Sequence, residues 1–167
     1  DGCTPLYIAC QQGHLDIVRF LVGEAQGDVN KARADGATPL FIACEKGHLK
    51  IVRFLVGEAQ ADVEKAMTNG ATPLFIACLF GHIALVRFLV EEVQADVHKT
   101  TASGHTSLYF SCYHGHLDVM RYLIGPGQAN IHQTSFWGGS ALADACQSAH
   151  VEICGRLLVA GTTITDQ

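Results

Sequence analysis

One short block returns five times at a spacing of 34 residues. Gly2-Cys3-Thr4-Pro5-Leu6-Tyr7-Ile8-Ala9-Cys10 becomes Gly36-Ala37-Thr38-Pro39-Leu40-Phe41-Ile42-Ala43-Cys44. It returns from Gly70 to Cys78, from Gly104 to Cys112 and, in altered form, from Gly138 to Cys146. A fixed period of this size implies a small unit stacked on copies of itself, so the chain is expected to build a solenoid. Such a stack offers one long face to a partner in place of a single deep cleft.

The second copy shows how a unit is built. Ala34-Asp35-Gly36-Ala37 is turn chemistry, an acidic residue followed by Gly. Thr38 is placed as an N-cap and Pro39 at the first helical position, where no backbone donor is missed. Leu40, Ala43 and Cys44 then form one apolar stripe. Gly47 closes this first helix, and His48-Leu49-Lys50 opens a second, whose face is Ile51, Val52, Phe54, Leu55 and Val56. Neither helix is long enough to hold alone, so stability must come from stacking.

Thr-Pro-Leu, Ala-Cys, Gly-His, a Val-x-x-Leu helix and Ala-Asp-Val, repeated in register, resemble the ankyrin repeat across the whole chain. The tetratricopeptide repeat shares the period but not the Thr-Pro opening. The resemblance implies an all-α ankyrin-repeat solenoid with short hairpin-like tips. The expected organisation is one domain over 1–167, with units 1–32, 33–66, 67–100, 101–134 and a cap-like 135–167. Three departures stand out. The exit loop is one residue longer than usual for the family, and Gln26, Gln60 and Gln94 replace its usual Gly. The family's His after Thr-Pro-Leu is Tyr7, Phe41, Phe75, Tyr109 or Ala143, so aromatic packing is expected to brace the turn. In unit five Ser140-Ala141-Leu142 replaces Thr-Pro-Leu, Ala149 replaces the corner Gly, Arg156 replaces a Phe, and the end is polar; a polar outer face suits a terminal repeat.

Composition narrows the function. Hydrophobic residues make up 49% against 16% charged, ample for a core, and the net charge of −5 argues against nucleic acid, which wants a basic patch. Ala71 to Val90 is apolar enough to suggest a membrane span, but Pro73 and Gly81 divide it as the other units are divided, so no insertion is expected. Cys10, Cys44, Cys78, Cys112 and Cys146 hold one position of the repeat. Stacked helices lie about 8–10 Å apart, whereas a disulfide needs Cα atoms within about 7 Å. This ladder is therefore read as small, buried, reduced thiols, which points to an intracellular setting, cytoplasmic or nuclear. Cys3 is expected in an exposed turn and Cys154 packed on the last helix. The chain opens partway into a repeat without Met, as a fragment would.

Each ladder Cys is followed four residues later by His: His14, His48, His82, His116 and His150. Zinc needs four ligands converging at about 2 Å, and each unit offers two, so no metal or cofactor is expected. The resemblance assigns the His to bracing the corner. Arg19, Arg53, Arg87 and Arg121 form a row on the second helices, read as a solvated outer face partly paired with Asp16 and Asp118. No catalytic motif is present, so an enzyme is not expected.

The resemblance places partner contacts on the turn tips and first helices. The tips are Asp1 and Cys3; Arg33, Ala34, Asp35 and Ala37; Met67, Thr68, Asn69 and Ala71; Thr101, Ala102, Ser103 and His105; Ser135, Phe136, Trp137 and Gly139. Glu45-Lys46 of unit two becomes Leu79-Phe80 in unit three, within near-identical surroundings. The second half gathers Leu79, Phe80, His105, Tyr113, His114, Phe136 and Trp137, an apolar cluster of the kind that anchors a contact. Arg33, Asp35, Glu45 and Lys46 form its polar rim. The expected function is protein or peptide binding by a monomer. A recruitment or spacer arm of a larger enzyme or membrane protein is the alternative, and a metal or thiol site on the Cys/His pairs comes after it.

Overall fold

The computed structural model describes residues 2–165, with side chains through 161. Asp1 and the polar side chains from Thr162 onward, both used in the sequence reading, lie outside the described residues. Helices come in pairs, two to a unit: α1 (Pro5–Gln12), α2 (Leu15–Gly23), α3 (Pro39–Glu45), α4 (Leu49–Gly57), α5 (Pro73–Leu79), α6 (Ile83–Arg87), α7 (Ser107–Tyr113), α8 (Leu117–Ile124), α9 (Ala141–Gln147) and α10 (Val151–Thr165). The apolar stretch of unit three is divided between α5 and α6, and among the described residues no helix is long and apolar enough to cross a membrane.

Each first helix starts for the same reason. Thr4, Thr38, Thr72, Thr106 and Ser140 are extended, and each hydroxyl accepts a hydrogen bond from the backbone N–H three residues on. The first helices pack on one another in series, and the second helices form a parallel series behind them. Between the series lies a continuous core in which Leu40, Leu74, Leu85, Leu89, Leu108 and Leu123 are wholly buried. The hairpin-like tips are turns closed by Arg33 N–H to the Ala37 carbonyl and Met67 N–H to the Ala71 carbonyl, both 2.9 Å. β-Pairing there is limited to isolated bridges, Thr100 with Thr106 and Thr134 with Ser140.

Three sets of contacts couple one unit to the next. At the tips, Thr68 N–H donates to the Asp35 carbonyl (2.9 Å), Ala102 N–H to Asn69 (2.8 Å) and Phe136 N–H to Ser103 (3.2 Å). At the corners, Nε2 of His48, His82, His116 and His150 hydrogen-bonds the carbonyls of Gln11, Glu45, Leu79 and Tyr113 at 3.2, 2.9, 2.9 and 3.0 Å. A carbonyl can only accept, so each Nε2 carries the proton. The brace therefore reaches back to the preceding unit. On the outer side, Arg19 lies over Phe54, Arg53 over Phe88 and Arg87 over Tyr122, at 5.5, 4.4 and 5.1 Å to the ring centroids.

The arginine row corrects one expectation. The acids it meets are Glu58 for Arg19, Glu92 for Arg53, Glu91 for Arg87 and Glu152 for Arg121, not Asp16 and Asp118. Asp16 and Asp118 sit in the first turns of their helices, where a carboxylate faces the positive end of the helix dipole. Because Arg53–Glu92 and Arg121–Glu152 cross between units, the row links repeats as well as facing water.

The extra residue of the exit loop is absorbed by widening the last helical turn. Ala25, Ala59 and Val93 N–H reach back five residues to the Phe20, Phe54 and Phe88 carbonyls. In unit three the widening forms a π-helical turn over Phe88–Glu92. Gln26, Gln60 and Gln94 then take the left-handed conformation, with φ of 49°, 54° and 60°. Gln128 does the same at 51°. Glutamine thus holds the backbone position that suits Gly, at a strain of about 1 kcal/mol.

Two features of unit five depart from the others. Its polar outer face is incomplete, because Val151, Leu158 and Val159 of α10 are exposed. Its corner tolerates Ala149 at φ 57°. At the other corners a Cβ would strike the next unit's imidazole, 2.8 Å at Gly13, 2.9 Å at Gly47, 2.5 Å at Gly81 and 2.6 Å at Gly115.

Two substitutions test this account. Gly81→Ala combines left-handed strain with displacement of His116 and should destabilise by about 2–3 kcal/mol in urea unfolding. Gln60→Gly should raise stability by about 1 kcal/mol, since the exposed amide side chain is exchanged for a relaxed backbone.

Candidate functional site

The tips and first helices of units two to four enclose an apolar hollow of ≈ 470 Å³. Its floor is Phe41, Phe75, Ile76 and Phe110, and its edges include Met67, Asn69, Leu79, Thr101, Ser103 and His105. The Asp35 and Asn69 side chains hold the tips open by accepting the Ala37 and Ala71 N–H groups at 3.1 and 3.0 Å. Gly36 and Gly70 are required there: both have positive φ, and a Cβ would meet the next tip's backbone at 2.8 and 2.9 Å.

The residues expected to form the apolar cluster are brought together in part. Leu79 and His105 line the hollow. His105, His114 and Tyr113 all pack on the Phe110 ring, at 5.4, 6.2 and 6.4 Å between centroids, and Tyr113 also meets His114 at 5.0 Å. Phe110 itself closes on Phe75 (5.1 Å) and Tyr109 (5.0 Å). Sequence reasoning missed this hub. The signal was present: the position reads Ile8, Ile42 and Ile76 before becoming Phe110.

Phe80 stands apart, half-exposed and stacked on His82 at 6.3 Å rather than on Tyr113. Phe136 and Trp137 occupy the next tip and are 76% and 85% exposed, so neither shields the core. Phe136 lies against Gly104, where a Cβ would meet its ring at 3.0 Å. Among the described residues Trp137 takes part in no ring pair.

The polar rim lies on unit two and is internally paired. Arg33 bridges Asp35 at 3.2 Å, donates to the Tyr7 hydroxyl at 3.3 Å and covers the Tyr7 ring. Lys46 bonds Glu45 at 2.7 Å. Aromatic residues brace the turn where the family's His is absent: Tyr7 through Arg33, and Tyr109 through His105 at 4.4 Å.

Electrostatics separate the thiols from the surface groups. Burial pushes the Cys10, Cys78 and Cys112 thiols up to about 12, and raises Cys44 further with help from Cys78. Such thiols are protonated and poorly nucleophilic. The corner His side chains meet carbonyls, as described, and among the described residues no three His, Cys, Asp or Glu side chains converge as a metal site would require. His114 is held below its ordinary value by desolvation and then by His116 and His150. Tyr109 is raised by burial, then by neighbouring Asp144. One ladder thiol departs from expectation: Cys146 is exposed. Cys3 is exposed and Cys154 partly buried against the core.

A family model described as ankyrin repeats (three copies) matches residues 1–67 and again 58–135. The chain belongs to the ankyrin repeat family. Ankyrin repeats are generally protein–protein interaction modules and typically not enzymes. No curated protein matches the chain in sequence. In this ankyrin array the hollow, the Phe110 ring cluster and the exposed Phe136 and Trp137 side chains bring apolar surface to the tip side.

The buried thiols give a pH dependence. Unfolded, they ionise near 9.0, and folded near 12, so above pH 9 the folded state holds more protons. Stability should be whole below pH 9 and fall as pH rises toward 12, by about 1 kcal/mol per buried thiol per pH unit. Urea midpoints between pH 8 and 10.5 measure this, and a Cys78→Ala variant should show a shallower decline.

Proposed function

We propose that this ankyrin array, acting as one domain over 1–167, is a non-enzymatic binding module for another protein or peptide. The observation that supports it best is the apolar hollow flanked by accessible aromatic side chains. Leu79, Phe80, Tyr113 and Trp137 serve as anchors, with His105, His114 and Phe136 around them. Arg33, Asp35, Glu45 and Lys46 orient the ligand from unit two. Coupling of each unit to the next by tip and corner hydrogen bonds keeps the surface ordered before binding, so little conformational entropy is lost on contact. The module acts as a monomer, and its largely buried thiols suit a reducing compartment, cytoplasm or nucleus.

A peptide selected on the intact chain from a display library supplies the probe. Trp137→Ala and Tyr113→Ala should each weaken it by about 2 kcal/mol or more, roughly 30-fold. Circular dichroism and the urea midpoint should stay at wild-type values, since both side chains are accessible. Unchanged affinity in the folded double variant sinks this assignment of the surface.

A further inference from the structure

The closing unit holds a pair of thiols that the binding surface does not use. Cys146 on α9 and Cys154 on α10 place their sulfurs 3.1 Å apart. The pairing follows from the repeat register. Each ladder Cys precedes by eight residues a position on the second helix, and that position reads Val18, Val52, Val86, Met120 and finally Cys154. The first four are wholly buried, as are Cys10, Cys44, Cys78 and Cys112. Only in unit five does a second thiol stand at that position, and only there is the ladder thiol exposed.

We propose that Cys146 and Cys154 form a reversible dithiol site that reacts with small-molecule disulfides and closes into an intramolecular bond. Cys146 is the entry point because it is the exposed member. Its thiolate attacks a disulfide RSSR: a Cys146–S–SR bond forms, the R–S–S–R bond breaks, and one RS⁻ leaves. Cys154 is the resolving thiol. It gives up its proton, attacks the Cys146 sulfur and expels the second RS⁻. Two protein thiols lose two electrons, and RSSR is reduced to two RSH. The sulfurs move together by about 1 Å to reach bonding distance. Cys3 is exposed too, but among the described residues it has no sulfur partner and can stop only at the mixed disulfide.

The chemistry would fasten α9 to α10 across their corner in the unit with the most exposed ladder position. It is independent of what the hollow binds.

The reduced chain is equilibrated with oxidised and reduced glutathione, quenched in acid and digested with trypsin. Cleavage after Arg121 and Arg156 releases one peptide holding Cys146, Cys154 and no other cysteine. That peptide should lose two hydrogen atoms, while the Cys3 peptide gains only glutathione. The closure constant should be at least about tenfold larger for the folded chain than for the chain in urea, about 30 mV for a two-electron couple. Cys154→Val restores the side chain of the first three units and should leave glutathione stranded on Cys146, with the fold retained. Three results overturn the proposal. These are a persistent glutathione adduct on wild-type Cys146, a bond linking Cys154 to Cys112, and a folded closure constant no greater than that in urea.

Discussion

The contact on which the array depends is the hydrogen bond from each corner imidazole to a carbonyl at the end of the preceding unit's first helix. The carbonyls that close a helix lack intrahelical partners, and burying them unpaired would cost about 1–3 kcal/mol each. His48, His82, His116 and His150 supply the donors. The same rings explain the glycines beneath them, because a side chain there would occupy the space of the imidazole. Corner glycine and following histidine thus belong to two successive units, and neither makes sense within one.

The remaining couplings run parallel to this one. Backbone donors of each tip reach the tip before it, and guanidinium groups cover the next unit's rings on the outer side. The exit loops are tied too: Asp62 N–H donates to Asn30 Oδ1 at 2.9 Å, and Lys99 meets Glu64 at 2.9 Å. Individually these are worth about 1 kcal/mol or less. Repeated at every interface, they hold short helices that would not persist in isolation. An ordered tip-side surface follows without a deep pocket.

Much of this was legible in the residues. The period, the Thr-Pro caps and the Gly-His corners identify where each helix begins and ends, because those devices act over three or four residues of sequence. What crosses between units was harder to read. The histidine brace looked local, and the arginines looked paired within their own helices; Arg87 does meet Glu91 four residues on, but the partners of Arg53, Arg121 and His82 lie some 31–39 residues away. The extra exit residue could equally have lengthened the helix or bulged; only the backbone shows a widened turn and left-handed glutamines. In the candidate site, Leu79 and His105 do line the hollow, but Phe110, which gathers three of the named rings, was overlooked as an ordinary core position.

The histidine brace also gives the array a direction. His48, His82, His116 and His150 all reach toward lower residue numbers, so its two ends are chemically unlike. Trimming units from the high-numbered end strips the donors and opens helix-end carbonyls to water. Trimming from the low-numbered end leaves idle imidazoles that water can satisfy. A cut therefore bares acceptors on one face and ring N–H donors on the other, so the two faces cannot be exchanged.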